Sequence, residues 1–230
     1  MEAEVSRALG LLLRAAEPLG LTVAGRTDAG VHALEQVVSY AGEAVPVSGL
    51  NALLPDDVAA LACSTAPEGF DARRHATSRA YCYRLLVRFG RGALLRGRAL
   101  HWPHRLDVSA LEECAAALIG THDFTAFTPT DTDHVRFERD VYAAFWRWGA
   151  GVEERLLEFW IEADTFMRHM NRVLVGTMLD VARGARPVSS FVSLLSGRPR
   201  SEAGPTAAAH GLYLAGVGYG GERLLGGRPG

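Results

Sequence analysis

Lysine is missing altogether: all 24 basic residues of this 230-residue chain are arginine. Arginine offers a planar, permanently charged fork that suits phosphate and carboxylate groups. Against 26 acidic residues the formal net charge is only -2, so the molecule as a whole is not a polycation. Any nucleic-acid partner has to be held by a local basic patch. Cysteine is scarce. Cys63, Cys82 and Cys114 are widely spaced with no Cys-x-x-Cys, which suits free thiols in a reducing cytoplasm. No apolar run reaches the roughly 18 residues of a membrane span. Glu2 and Glu4 stand where a signal peptide would carry cations. His101, His104, His122, Asp123 and His134 follow no ligand spacing, so no metal is expected. No short-period repeat is visible.

What is present is an ordinary globular balance, 48% hydrophobic and 22% charged. Periodicity predicts a helix over 2–16, strands at 21–24 and 35–40, a short helix over 47–54 and a buried strand over 57–65. Tyr81, Tyr83 and Leu85 alternate as in a strand with one packed face. The pattern breaks at His101-Trp102-Pro103-His104, the expected boundary between an N-terminal half, 1–102, and a C-terminal half, 103–220. A helix over 107–119 opens on Asp107 as N-cap, and 120–127 reads as a loop. Strands follow at 137–148 and 153–163, joined by Gly149-Ala150-Gly151. Large residues on both faces predict that the first of these is central and doubly covered. The longest helical pattern runs over 165–183. A short helix is expected over 188–195, a last strand over 211–217, and a disordered tail over 221–230.

The stretch Gly25-Arg26-Thr27-Asp28-Ala29-Gly30-Val31-His32-Ala33 stands out between two apolar runs. One carboxylate, Asp28, lies beside the cation Arg26 and between two glycines, which allow positive φ and close approach to a ligand. Asp-x-Gly alone is an ordinary surface turn; held on rigid flanking strands, it is also a place where function concentrates. A second asymmetry follows. From Ala72 to Leu106 there are nine arginines and no Asp or Glu: Arg73, Arg74, Arg79, Arg84, Arg88, Arg91, Arg96, Arg98 and Arg105. Solvated faces usually mix signs, so this run points to phosphate contact.

The nonapeptide resembles, letter for letter, the signature of the tRNA pseudouridine synthase A family. Further motifs follow in the family's order. Phe70, Ala72, Arg73, Ala76, Thr77, Arg79, Tyr81 and Tyr83 match its Phe-x-Ala-Arg, Ala-Thr and Arg-x-Tyr-x-Tyr. Gly120 to Phe127 looks like Gly-x-His-Asp-Phe-x-x-Phe. Phe166, Met167, His169, Met170, Arg172 and Gly176 match its helix motif, and Gly211 to Leu214 its closing strand.

The resemblance implies an α+β pseudouridine synthase fold. Two ferredoxin-like (RRM-like) halves would share a mainly antiparallel sheet, with helices packed on one side and a central cleft. It implies a tRNA pseudouridine synthase acting at tRNA positions 38 to 40, in the anticodon arm, without a cofactor and as a cytoplasmic homodimer. Asp28 would be the nucleophile, with Arg172 and secondarily Arg26 as the cation that keeps it charged. Tyr81 would stack on the freed uracil and take the C5 proton. Arg26, Arg73, Arg74, Arg79, His169 and Leu212 would be further substrate contacts.

Two features depart from the family. Its usual first strand, with Tyr-x-Gly and Gly-Trp-Gln, has no counterpart before the first helix. Ala80 stands where a basic residue is frequent. The first implies that either the true start lies upstream or the chain is a truncated, non-catalytic RNA-binding paralogue. A nucleoside hydrolase would need a second carboxylate as acid, and none lies in a comparable motif.

Overall fold

The structure is a computed structural model that describes residues 1–132, 134–149 and 155–226. Contacts divide the chain into two compact units, residues 1–26 with 36–76, and residues 27–35 with 77–230. This division differs from halves meeting at residue 102. The Asp28 segment groups with the later part of the chain, although both its flanks belong to the earlier unit.

The first unit is built on α1 (Glu2–Leu13), whose Ala8 and Leu9 are buried with Val45 and Leu50. The helix ends at Arg14, which turns left-handed with φ 51°. Strands β1 (Leu21–Val23) and β3 (Val38–Tyr40) form a two-stranded antiparallel sheet, and α2 (Val47–Asn51) packs on α1. The buried strand expected over 57–65 is not there. Asn51 instead clamps Ala60 from both sides, its Nδ2 donating to the Ala60 carbonyl and its Oδ1 accepting from the Ala60 amide. That side chain occupies the main-chain groups a ladder would use, and Leu61 is left exposed.

The second unit carries the main sheet. It contains β2 (His32–Ala33), β4 (Ala76–Val87), β5 (Leu100–Trp102), β6 (Gly120–Asp123), β7 (Glu138–Trp148), β8 (Leu156–Ala163) and β9 (Leu212–Tyr219). Their order is β2-β9-β4-β8-β7-β6, with β5 alongside β4. The pairs β4/β8, β7/β8 and β6/β7 are antiparallel; β2/β9 and β4/β5 are parallel. The fold is therefore α+β around a mainly antiparallel sheet, with helices on one side.

Three expectations about this sheet change. Both faces of β4 are covered, since Ala80, Cys82 and Leu86 are as buried as Tyr81, Tyr83 and Leu85. The doubly covered strand of the later pair is β8, which lies between β4 and β7. β7 alternates, burying Arg139, Val141, Ala144 and Trp146 and exposing Glu138, Tyr142 and Arg147. Residues 120–127 are not a loop: β6 is followed by a 3₁₀ turn, Thr125–Phe127, anchored where Asp123 Oδ1 accepts from the Thr125 amide and hydroxyl.

The helices α3 (Val108–Ala117), α4 (Met170–Ala182) and α5 (Val188–Ser193) pack on one another. Asp107 caps α3 by accepting from the Ala110 amide. Phe124, Phe127 and Phe191 are fully buried in one aromatic group. Truncating any of them to alanine would cost about 3–5 kcal/mol.

The last turn is pinned as well. Glu162, fully buried in β8, accepts from Ser78 Oγ at 2.6 Å and from the amides of Leu224 and Leu225 at 3.0 and 2.8 Å. Residues 221–226 are thus anchored rather than a disordered tail; 227–230 lie outside the described residues. Among the described residues no helix is long and apolar enough to cross a membrane.

Candidate active site

Asp28 sits at a turn closed by the Val31 amide donating to its carbonyl at 3.0 Å. Of the two flanking glycines only Gly30 uses its conformational freedom, with φ 81°. A Cβ there would also touch Ala209. The chain then runs into β2, and β2 joins β9 through His32 opposite Tyr213 and Ala33 opposite Leu214. The His32 ring stacks on Tyr213 with centroids 4.7 Å apart. The turn is therefore fixed to the sheet on its C-terminal side, within the second unit.

Two groups from the start of α4 converge on the Asp28 carboxylate. Arg172 Nη1 donates to Oδ2 at 3.4 Å, and His169 Nε2 lies 3.2 Å from the same oxygen. Arg172 is aimed from behind, because its Nε donates to the Ala207 carbonyl at 2.8 Å. Its own carbonyl accepts from the Ala207 amide at 3.0 Å. This two-way tie works only because Gly176, one turn further along α4, lies against the main chain of Pro205. A Cβ at Gly176 would overlap the Pro205 carbonyl oxygen.

The helix expected over 165–183 begins only at Met170, and the reason bears on the site. His169, the residue before it, adopts φ 63° and ψ −4°, a left-handed conformation that no α-helix continues through. Non-glycine residues seldom take it, and histidine is among those enriched there. The break turns the His169 side chain onto Asp28, whereas a regular helix would have carried it along the surface.

Tyr81 lies in the middle of β4, opposite Ile161 of β8, and is only 8% exposed. Its ring meets Phe166 edge to face at 5.0 Å. Burial, with the Asp28 charge adding to it and Arg79 opposing, pushes its pKa from 10.0 up to about 12. The phenol is protonated at neutral pH. Its resting form offers a ring face and an O–H.

The other expected contacts divide. Arg79 is buried, and its Nη1 donates to the Asp164 carbonyl at 3.0 Å, so it belongs to the wall of the sheet rather than to an exposed patch. Arg84 pairs with Glu158 at 3.0 Å, and Arg147 shares that carboxylate at 3.3 Å. Arg88, Arg91, Arg96, Arg98 and Arg105 remain exposed in the second unit. Arg26, Arg73 and Arg74 are exposed in the first unit. Asp71 accepts from the amides of Arg73 and Arg74, bonds that hold its carboxyl below the usual range. Leu212 is buried at the start of β9, directly after the 3₁₀ turn Ala209–Gly211 whose Ala209 faces Gly30.

Among the described residues no group of three or more His, Cys, Asp or Glu side chains is gathered as a metal would require. His101 contacts the Arg88 carbonyl, His122 that of Ile119.

Sequence reasoning placed His169 as a substrate contact and gave Arg26 the second cationic role at Asp28. The structure sets the His169 imidazole against that carboxylate. Nothing in the sequence pattern signalled it, because the helical periodicity ran through residue 169.

Chemically, one partly exposed carboxylate held by a guanidinium and an imidazole, with a buried phenol nearby, is equipped for glycosyl chemistry at a single carbon. A family profile described as tRNA pseudouridine synthase matches residues 114–220. The tRNA pseudouridine synthase A of Chromobacterium violaceum is 41% identical over 201 residues, 85% of this chain and 75% of that protein. Its counterpart from Bacillus pumilus is 34% identical over 224 residues, 95% of this chain and 89% of that protein. That of Bacillus subtilis is 36% identical over 223 residues, 94% and 88% of the two chains.

Proposed function

Because this chain belongs to the tRNA pseudouridine synthase A family, we propose that it isomerises uridine to pseudouridine at positions 38 to 40, in the anticodon arm of tRNA, with Asp28 as the nucleophile. The convergence of Arg172 and His169 on Asp28 Oδ2 is the observation that carries this reading.

The reaction breaks the N1–C1′ bond of uridine, turns the uracil and joins C5 to C1′. The proton on C5 is lost and N1 ends protonated, so nothing is oxidised and no co-reactant is consumed. The Asp28 carboxylate starts the sequence, by capturing C1′ or by removing a ribose proton to give a glycal. Both routes need the nucleotide out of its stack. A buried ring such as Tyr81 gives the detached uracil an apolar face to rest on.

Recognition of the tRNA rests on backbone and shape. The exposed arginines Arg88, Arg91, Arg96, Arg98 and Arg105 supply phosphate contacts on the second unit. Arg26, Arg73 and Arg74 supply them on the first. Two copies of the chain grip one tRNA in this reading. Three free cysteines suit a reducing cytoplasm.

The test is conversion of unmodified tRNA by the purified chain, mapped by nucleotide. Pseudouridine confined to positions 38 to 40 supports the reading. Tight tRNA binding with no pseudouridine anywhere supports the non-catalytic paralogue instead. Binding itself should weaken steeply with salt. About six neutralised phosphates would give a log–log slope of roughly −4 to −5. A flat dependence, measured by filter binding across a salt series, removes the exposed arginines from recognition.

A further inference from the structure

We infer that His169 is a positioning residue which, together with Arg172, holds Asp28 by a single oxygen, Oδ2, and so reserves Oδ1 for the substrate. The inference rests on Asp28 being the reactive carboxylate.

The geometry is asymmetric. Both neighbours address Oδ2, Arg172 Nη1 at 3.4 Å and His169 Nε2 at 3.2 Å. Among the described residues Oδ1 accepts no hydrogen bond, and Asp28 is about one-third exposed. A carboxylate gripped through one oxygen keeps the lone pairs of the other unencumbered, and the grip fixes the direction in which they point. Arg172 alone would leave the carboxylate free to swing about that one contact. The second contact, arriving from a different residue of the same turn, removes the swing. Aligning the attacking atom in this way acts on the chemical step rather than on tRNA affinity.

The backbone supports a dedicated role. His169 holds φ 63°, a conformation costly for most side chains, where glycine would sit without strain. The residue next to it, Arg168, is turned the other way, with Nη2 2.6 Å from Asp131. The pairing fixes the chain entering the helix. Asp131 is held below the usual carboxyl range chiefly by Arg168, with a smaller contribution from His169. An acceptor carboxylate requires that Nε2 carry the proton. His169 therefore serves as a fixed donor, not as a group that gives up its proton in the reaction.

Two substitutions separate the donor from the backbone. His169→Gly relaxes the left-handed position and removes the imidazole. It should keep the parental thermal midpoint and the KM for tRNA to within about threefold, and lower kcat by about 10- to 100-fold. His169→Gln carries an amide N–H at about the reach of Nε2. It should bring kcat back to within about threefold of the parent. Parental kcat in the glycine variant overturns the inference. A rise in KM with kcat unchanged also overturns it and makes His169 a tRNA contact. A glutamine variant as slow as the glycine variant overturns the donor role. Asp28→Asn is assayed in the same series. Should that variant stay active, the underlying reading of Asp28 fails. Should it be inactive while His169→Gly is not, only the inference about His169 fails.

Discussion

Asp28→Asn is expected to lower kcat for pseudouridine formation by more than about a thousandfold, while tRNA affinity stays within about threefold of the parent. The substitution is nearly isosteric and removes the charge and the nucleophilic oxygen. No second Asp or Glu is ion-paired with Arg172 or His169 among the described residues, so nothing nearby is positioned to stand in. The fold should tolerate the change. Arg172 keeps its bond to the Ala207 carbonyl, and the turn is held by main-chain contacts that asparagine preserves. A change within about 1 kcal/mol is expected for a partly exposed site of this kind. In the proposed reading binding rests on exposed arginines elsewhere in the chain, which is why affinity and rate should separate. Pseudouridine quantified by nucleotide after single-turnover reaction, beside a filter-binding titration, makes the comparison. A variant as fast as the parent would remove this carboxylate from the reaction.

The second large effect is expected far from any substrate, at Gly176. Its α-carbon faces the Pro205 carbonyl so closely that even a methyl group has no room, and the obstruction is main chain, which cannot rotate aside. Gly176→Ala must push the 205–207 stretch off α4. Overpacking of this kind costs about 3 kcal/mol. In a chain of this length that lowers the thermal midpoint by about 6–12 °C. The same stretch carries the Ala207 carbonyl that aims Arg172. kcat should therefore fall well below the melting range, and in the same variant. Calorimetry and an activity assay at low temperature test both halves. A parental midpoint would mean that the stretch yields without cost.

How much of this was legible depended on whether the causes were local. Asp28, Tyr81 and Arg172 could be singled out as candidates because their motifs are specific, and the cap at Asp107 was legible because capping is a local matter. Arg79 and Arg84 read as part of a basic run. The groups that take them inward, the Asp164 carbonyl and Glu158, lie 85 and 74 residues away. The position of His169 turned on a dihedral angle that no periodicity reports. The strand anticipated over 57–65 had the right composition, but one asparagine side chain took its hydrogen bonds. β6 is short enough that four residues beside an aromatic cluster looked like loop.

The contact between Asp28 and Arg172 joins residues 144 apart. During synthesis the signature nonapeptide leaves the ribosome early, yet among the described residues its carboxylate has no ion-pair partner until residues 169–172 have been made. The residues just before and just after it can collapse into their own compact unit in the meantime. A nascent chain carries the motif by which the family is recognised long before the Asp28 carboxylate meets His169 and Arg172, which arrive with the final third.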